Sequence, residues 1–182
     1  MRKRVVHHGS AFGVTNAPHR GDHAIDVQIV ADERDTLRFG DADLCETTAR
    51  VYQKVWEMCA LAGFLVGREV AAKMLTRNEG TILFTGASAS LRGGAGFSAF
   101  AGGKHALRAL AQSMARELGP KGIHVGHVIV DGLIRNEATA EFLPDLYASK
   151  GEGGIIEPDD LADIYWHLHT QPRSAWTFEQ DA

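Results

Sequence analysis

The sequence predicts an α/β domain, a parallel sheet covered by helices on both faces. Two observations carry that reading. Short β-rich apolar runs alternate with segments of helical period along the chain, and strands separated by helices pair in parallel. The composition is that of a globular domain: 182 residues, 45% hydrophobic and 23% charged, matching one domain in size and opposing disorder.

The first 45 residues carry the weaker signals. Arg4 to His8 reads as a strand entering Gly9-Ser10-Ala11-Phe12-Gly13, and Ala24 to Val30 is a second apolar run ending in Ala31-Asp32-Glu33. Between them Pro18 and Gly21 oppose a helix. Thr47 and Thr48 offer caps for a long helix, Ala49 to Leu75, whose apolar residues include Val51, Val55, Met58, Leu61, Ala62, Leu65, Val66 and Met74. Asn78-Glu79-Gly80 ends that segment, and Thr81 to Thr85 is a short buried strand. A glycine-rich loop, Leu91 to Gly96, leads to a second helix, Ser98 to Leu118, stopped by Gly119-Pro120. Ile123 to Val130 is a strand, and Asp131-Gly132 turns the chain out of it. Asn136 to Gly154 is a polar, partly helical excursion. Pro158 opens a helix through His169, and Ser174 to Phe178 is the last strand.

Charge and composition narrow the function. Nineteen basic and twenty-three acidic residues give a net charge of -4, so neither nucleic acid nor an anionic membrane is an expected partner. No stretch approaches the ~20 apolar residues of a membrane span, and no apolar core follows the basic Met1-Arg2-Lys3-Arg4. Cys45 and Cys59 make neither a disulfide framework nor a zinc pattern. The expectation is a soluble, cytoplasmic, enzyme-like domain.

Thr81 to Ser90, the glycine-rich loop and Phe100-Ala-Gly-Gly-Lys104 together resemble the short-chain dehydrogenase/reductase family. Val55 to Phe64 resembles that family's long dimer-forming helix. Ala106 to Pro120, followed by Gly122-Ile123-His124-Val125, resembles its active-site helix and the next strand. The match runs from Glu46 to Arg135. It implies a Rossmann-like doubly wound parallel sheet forming a single domain over 1–182, shortened by about two strand–helix units. Two placements of the N-terminal third follow. In the favoured one, Val5 to Gly13 is the first strand with its phosphate-binding turn, and Ile25 to Asp32 is the second strand. Gly9 and Asp32 then stand near the ~20-residue separation expected of a dinucleotide fingerprint. In the other, Ile25 to Val30 is the fourth strand.

The resemblance also implies site residues. The family's catalytic asparagine, serine, tyrosine and lysine fall on Cys59, Ala87, Phe100 and Lys104, with Ser88 beside Ala87. A phenyl ring has no ionisable proton and serves as neither acid nor base, which leaves Ser88, Ser90 or water as proton source. His105 stands about 100° round the helix from Lys104 and faces elsewhere. Lys104 shares the face of Phe100; it holds a cofactor ribose or, alternatively, snorkels to solvent. Phe84, Phe100 and Lys104 are expected to converge on one cleft.

For the cofactor, NAD or NADP with NAD preferred, the contacts are Gly9, Gly13, Asp32, Lys104, Gly132 and Ile134, although Thr15 replaces a third glycine. Asp32 otherwise reads as one solvated charge among Glu33, Arg34 and Asp35. Arg135 stands near the family's usual threonine. His167 and His169 point to different faces of a helix and read as surface residues, and no metal is expected. Met58, Met74 and Met114 read as filler for the core or an interface. The implied function is NAD(P)-linked oxidation or reduction of a small alcohol or carbonyl, by a homodimer or homotetramer formed through helices 49–75 and 98–118. The alternatives are a non-catalytic dimerising or ligand-binding relative, and a truncated, inactive product.

Overall fold

The computed structural model describes residues 26–29 and 42–182. A four-stranded parallel sheet runs in the order β1 (Asp26–Ile29), β2 (Gly80–Ala87), β3 (Ile123–Val130), β6 (Glu179–Asp181). The long helix α1 (49–75) leads into β2, α2 (Ser98–Leu118) joins β2 to β3, and α5 (Pro158–His169) precedes β6. Between β3 and α5 lie β4 (Leu133–Ile134), α3 (Glu137–Phe142), α4 (Pro144–Ser149) and β5 (Ile155–Ile156). β4 and β5 form a separate parallel pair.

Thr48 starts α1 by accepting the Val51 amide at 3.2 Å, one of the donors a helix start leaves unpaired. The helix is not uniform. Glu57–Leu61 is a π-turn set between α-helical Ala49–Trp56 and Ala62–Leu75, and such widened turns occur often at functional sites. This stretch of α1 crosses α2 at Gly103, where any Cβ would press on Cys59. At the other end of α1, Asn78 and Gly80 take positive φ angles to turn the chain into β2.

β2 and β3 pair over eight residues each, from Gly80 opposite Ile123 to Ala87 opposite Val130, and every residue of β3 is buried. Side-chain alternation sorts them. Ile82, Phe84, Ile123 and Val125 pack with Met74, Leu107 and Ala111 under α1 and α2. Leu83, Val128 and Val130 pack with Leu161, Tyr165 and Leu168 under α5. Both faces are thus covered, which is why these strands read as near-continuous apolar runs.

The structure corrects two expectations. β1 pairs directly with β2, Asp26 opposite Thr81. In a doubly wound sheet of order 3-2-1-4-5-6 a second strand stands between the first and third, so this pairing is that of a fourth strand beside a fifth. The favoured second-strand placement of Ile25 to Asp32 is therefore overturned, and with it the basis for reading Asp32 as a ribose-binding acid. Asp32, Gly9 and Gly13 themselves lie outside the described residues.

The last strand is also displaced. Ser174 to Phe178 is expected to be strand, yet Arg173–Ala175 is a 3-10 turn and the ladder forms at Glu179–Asp181. The aromatic residues anchor the chain instead of pairing it. Trp176 stacks flat on His124 with centroids 4.8 Å apart, and its Nε1 donates to the Gln171 carbonyl at 3.2 Å. Glu-Gln-Asp carries no apolar strand signal. Glu179 there meets the Arg108 guanidinium and the His127 imidazole.

Phe84 is wholly buried at the centre of the α1–β2–α2 layer. Phe84→Ala should cost about 3–5 kcal/mol, the range for a large buried aromatic. Urea unfolding monitored by circular dichroism checks this, and a loss under about 1 kcal/mol would contradict a close-packed layer.

Candidate active site

The site is built at the C-terminal end of β2 by the start of α2, the π-turn of α1 and the 3-10 turn Ser88–Ser90. Open parallel sheets bind ligands at this end of their strands. Lys104 is only 4% exposed, so the alternative in which it snorkels to solvent is not met. A buried ammonium needs fixed acceptors. Nζ donates to the Thr85 carbonyl at 3.1 Å and stands 5.6 Å from the centre of the Phe100 ring, a cation–π distance.

Cys59, which the resemblance sets at the family's asparagine position, is buried on the π-turn. Burial pushes its thiol pKa up, against a smaller opposing pull from Lys104, so it stays protonated and is no nucleophile. Cys59 joins Val55 and Ala99 in an apolar cluster to which Val51 and the half-buried Phe100 add their side chains. Ala87, at the serine position, is half-buried, and its amide donates to Ser90 Oγ at 3.1 Å. Ser88 is half-buried on the same turn, where its carbonyl accepts the Leu91 and Arg92 amides. The structure brings Cys59, Phe100 and Lys104 together and seats Ser88 at the end of β2. It does not bring Phe84 with them: that ring points into the core under α1, correcting the expectation of a shared cleft.

The turn after β3 is also placed. Gly132 is exposed, and a Cβ on it would stand 3.1 Å from Ile156 Cδ1. Ile134 is half-buried, paired in register with Ile156, and packs on the core under α5. Arg135 donates to Glu157 at 2.6 Å and to the Tyr147 hydroxyl at 2.7 Å, which ties α4 to the start of α5. Asp131 pairs with Arg92 of the glycine-rich loop at 3.3 Å.

Of the other histidines, His105 turns back on its own helix, its Nδ1 2.8 Å from the Ala101 carbonyl. His167 is exposed as expected. His169 is not a surface residue: it is half-buried, 3.1 Å from the Thr81 hydroxyl and tilted against Trp166.

Sequence reasoning passed over a charged network beside the lysine. Arg108, one turn after Lys104, makes a two-pronged contact to Glu179 at 2.6 and 2.7 Å. Glu179 Oε2 lies 3.0 Å from Nδ1 of His127, an imidazole with no exposure at all in the middle of β3. Arg108 holds the Glu179 carboxyl below its usual range, with burial opposing and His127 adding to the effect. Burial pushes the His127 pKa down, and Glu179 only partly offsets it. A carboxylate at Nδ1 selects the tautomer with its proton there and leaves Nε2 as an acceptor. That Nε2 has no partner. It crowds the space a Cβ on Gly86 would need, and Ser90 Oγ lies 2.9 Å from the same point. One sequence signal was available: two histidines, His124 and His127, within an otherwise apolar strand.

Fold and site together define a parallel α/β domain with a lysine-bearing helix entering behind a glycine-rich turn. Comparison with known proteins gives the family. The family model for short chain dehydrogenases matches residues 40–146. The crystal structure of a short-chain dehydrogenase from Rhodopseudomonas palustris is 48% identical with a TM-score of 0.61, over 78% of this chain and 56% of that one. Zerumbone synthase of Zingiber zerumbet is 27% identical over 172 residues, 87% of this chain and 58% of its own length. Short chain aldehyde dehydrogenase 1 of Euphorbia lathyris is 31% identical over 129 residues, 68% and 45% of the two. A 4-hydroxyisoleucine dehydrogenase complexed with NADH and succinate shares the fold, with a TM-score of 0.65 at 24% identity, over 78% of this chain and 62% of that one. The chain belongs to the short-chain dehydrogenase/reductase family, and spans about half the length of the curated relatives it matches.

The charged network makes stability pH-dependent. Below about pH 6.5 the unfolded chain takes up protons that buried His127 and His124 refuse, because burial lowers both pKa values. Below pH 4.5 the unfolded Glu179 protonates first, and the stabilisation it draws from Arg108 is lost as pH falls through its lowered folded value. Urea midpoints should be level above neutrality, fall from about pH 6.5 and fall again below 4.5. Glu179→Gln should remove the second loss. A level profile from pH 8 to 4 would contradict the network.

Proposed function

We propose that this chain binds NAD or NADP and serves an oxidoreductase that interconverts a small alcohol and its carbonyl. The observation that carries the reading is Lys104, held at the ligand-binding end of β2 with its ammonium on the Thr85 carbonyl and against the Phe100 ring. An ammonium beside the Ser88–Ser90 turn suits a hydroxyl-rich ligand, and a ribose is such a ligand. The exposed turn at Gly132, with no side chain, lets a flat amide group approach the backbone before Ile134. When bound, the dinucleotide supplies the hydride donor or acceptor. Lys104 orients the ribose, and the half-buried Ser88 polarises the substrate oxygen. Phe100 and Ala99 keep water from the floor of the site. Because Phe100 has no ionisable proton, proton transfer falls to Ser88, Ser90 or water. Family membership and the NADH held by the 4-hydroxyisoleucine dehydrogenase of like fold support the reading.

The working unit in this reading is a homodimer or homotetramer paired through 49–75 and 98–118. Tyr52, Trp56, Phe64 and Leu65 of α1 are all at least 40% exposed, an apolar surface larger than a lone helix needs. Substrates are small molecules, and no helix among the described residues is long and apolar enough to cross a membrane.

Calorimetric titration tests the cofactor. NADH or NADPH should bind saturably, and Lys104→Ala should weaken binding about tenfold, the effect of one hydrogen bond to a charged group. No saturable heat at millimolar concentration of either dinucleotide overturns the reading. Phe100→Tyr should raise carbonyl reduction by about 10²-fold or more, the usual worth of a placed general acid. Light scattering should find a dimer or tetramer at micromolar concentration and a monomer for Trp56→Asp.

A further inference from the structure

We propose that His127 is a positioning residue for the Ser88–Ser90 turn: its bare Nε2 is the acceptor for the Ser90 hydroxyl hydrogen, and protonating the imidazole releases the turn. The proposal rests on the oxidoreductase reading above and adds a control on that site.

Three observations converge. Ser90 is fully buried, and its Oγ already accepts the Ala87 amide at 3.1 Å, so its own hydrogen must be directed elsewhere. Nε2 of His127 is buried without a partner, and Glu179 at Nδ1 makes it an acceptor rather than a donor. Both atoms border the one space that Gly86 leaves by lacking a Cβ, and in this proposal the Ser90 O–H is directed across that space to the ring while Oγ keeps the Ala87 amide. The bond joins the turn to β3 and, through Glu179 and Arg108, to β6 and α2. Ala87 and Ser88, the residues at and beside the family's serine position, lie inside the loop it closes.

Protonation reverses the interaction. An imidazolium carries N–H at both nitrogens, so Nε2 no longer accepts, and Ser90 loses the partner for its hydrogen. The charged groups that face the ring decide where this happens. Glu179 from β6 favours the imidazolium, while Lys104 and Arg108 from α2 oppose it together with burial. The part of β2 against the ring, Gly86, adds no charge. The neutral, turn-holding form therefore prevails at neutral pH, and the turn is released on acidification.

Imidazole nitrogen NMR of the protein without cofactor tests the pair directly, with the His127 signals assigned by their loss in His127→Gln. The expected result is a neutral ring at pH 7 with its proton on Nδ1, and an Nε2 resonance that moves in Ser90→Ala while Nδ1 stays. A proton on Nε2, or an Nε2 resonance indifferent to Ser90→Ala, overturns the proposal. In turnover, Ser90→Ala should lower kcat on the order of tenfold, the worth of one neutral hydrogen bond, with the dinucleotide KM unchanged. The acid limb of kcat should follow the His127 NMR midpoint, and Glu179→Gln should move both together. An acid limb that stays put in Glu179→Gln while the NMR midpoint moves overturns the proposal. If neither dinucleotide binds, the oxidoreductase reading fails, and the NMR result still decides the Ser90–His127 pair.

Discussion

A cation buried among carbon atoms has to be met by fixed acceptors, and that requirement organises this domain. Lys104 reaches the Thr85 carbonyl because α2 lies directly over β2. α2 can lie there because Gly103 lets it approach α1 at Val55 and Cys59, and because Leu107 and Ala111 bury themselves against Ile82 and Phe84. The lysine, the helix crossing and the core of that layer are thus one arrangement. Two turns of α2 present the ammonium of Lys104 to the end of the sheet and the guanidinium of Arg108 to its last strand.

That last strand shows how charge does the work of hydrophobic patterning. Three polar residues, Glu179 to Asp181, form β6, while the aromatic residues just before them do not. Glu179 gives up water for a two-pronged arginine contact and an imidazole, and such charge-assisted bonds are among the stronger ones available to a half-buried carboxylate. Trp176 and Phe178 meanwhile stack on the two buried histidines of β3. The C-terminal segment is held by specific partners at each residue rather than by a continuous apolar face, and this is why hydrophobic periodicity put the strand too early.

Much of the fold was legible in the sequence. Ser98–Leu118, Ile123–Val130 and Pro158–His169 begin and end where helical period, strand run, Gly119-Pro120 and Pro158 say they should. These segments carry both a strong pattern and a stop signal. The π-turn in α1 was not legible, because one added residue in a turn leaves the surrounding apolar positions at helical spacing. The register of β1 was not legible either: a four-residue apolar run followed by an acid suits a second or a fourth strand equally, and only its pairing with Thr81 to Phe84 separates the two. Of the site, the inability of Phe100 to act as acid or base was readable from the residue alone, since no fold makes a phenyl ring ionisable. The burial of Lys104 and of the Arg108–Glu179–His127 network was not, because their partners lie 19 to 71 residues away in the chain.

The residues that the resemblance sets at the family's catalytic positions lie in largely apolar surroundings. Cys59, Ala87 and Phe100, which the resemblance sets at the asparagine, serine and tyrosine positions, bring no polar side chain other than a buried thiol. Two of the three pack together, Phe100 against the cluster of Cys59, Val55 and Ala99. Beside that cluster Lys104 meets a backbone carbonyl and a ring face. Polar chemistry persists on the neighbouring strand, where Gly86 makes room for the His127 imidazole. A side chain at residue 86 and an imidazole at residue 127 are sterically exclusive, so the His127 imidazole in β3 requires glycine at position 86 of β2.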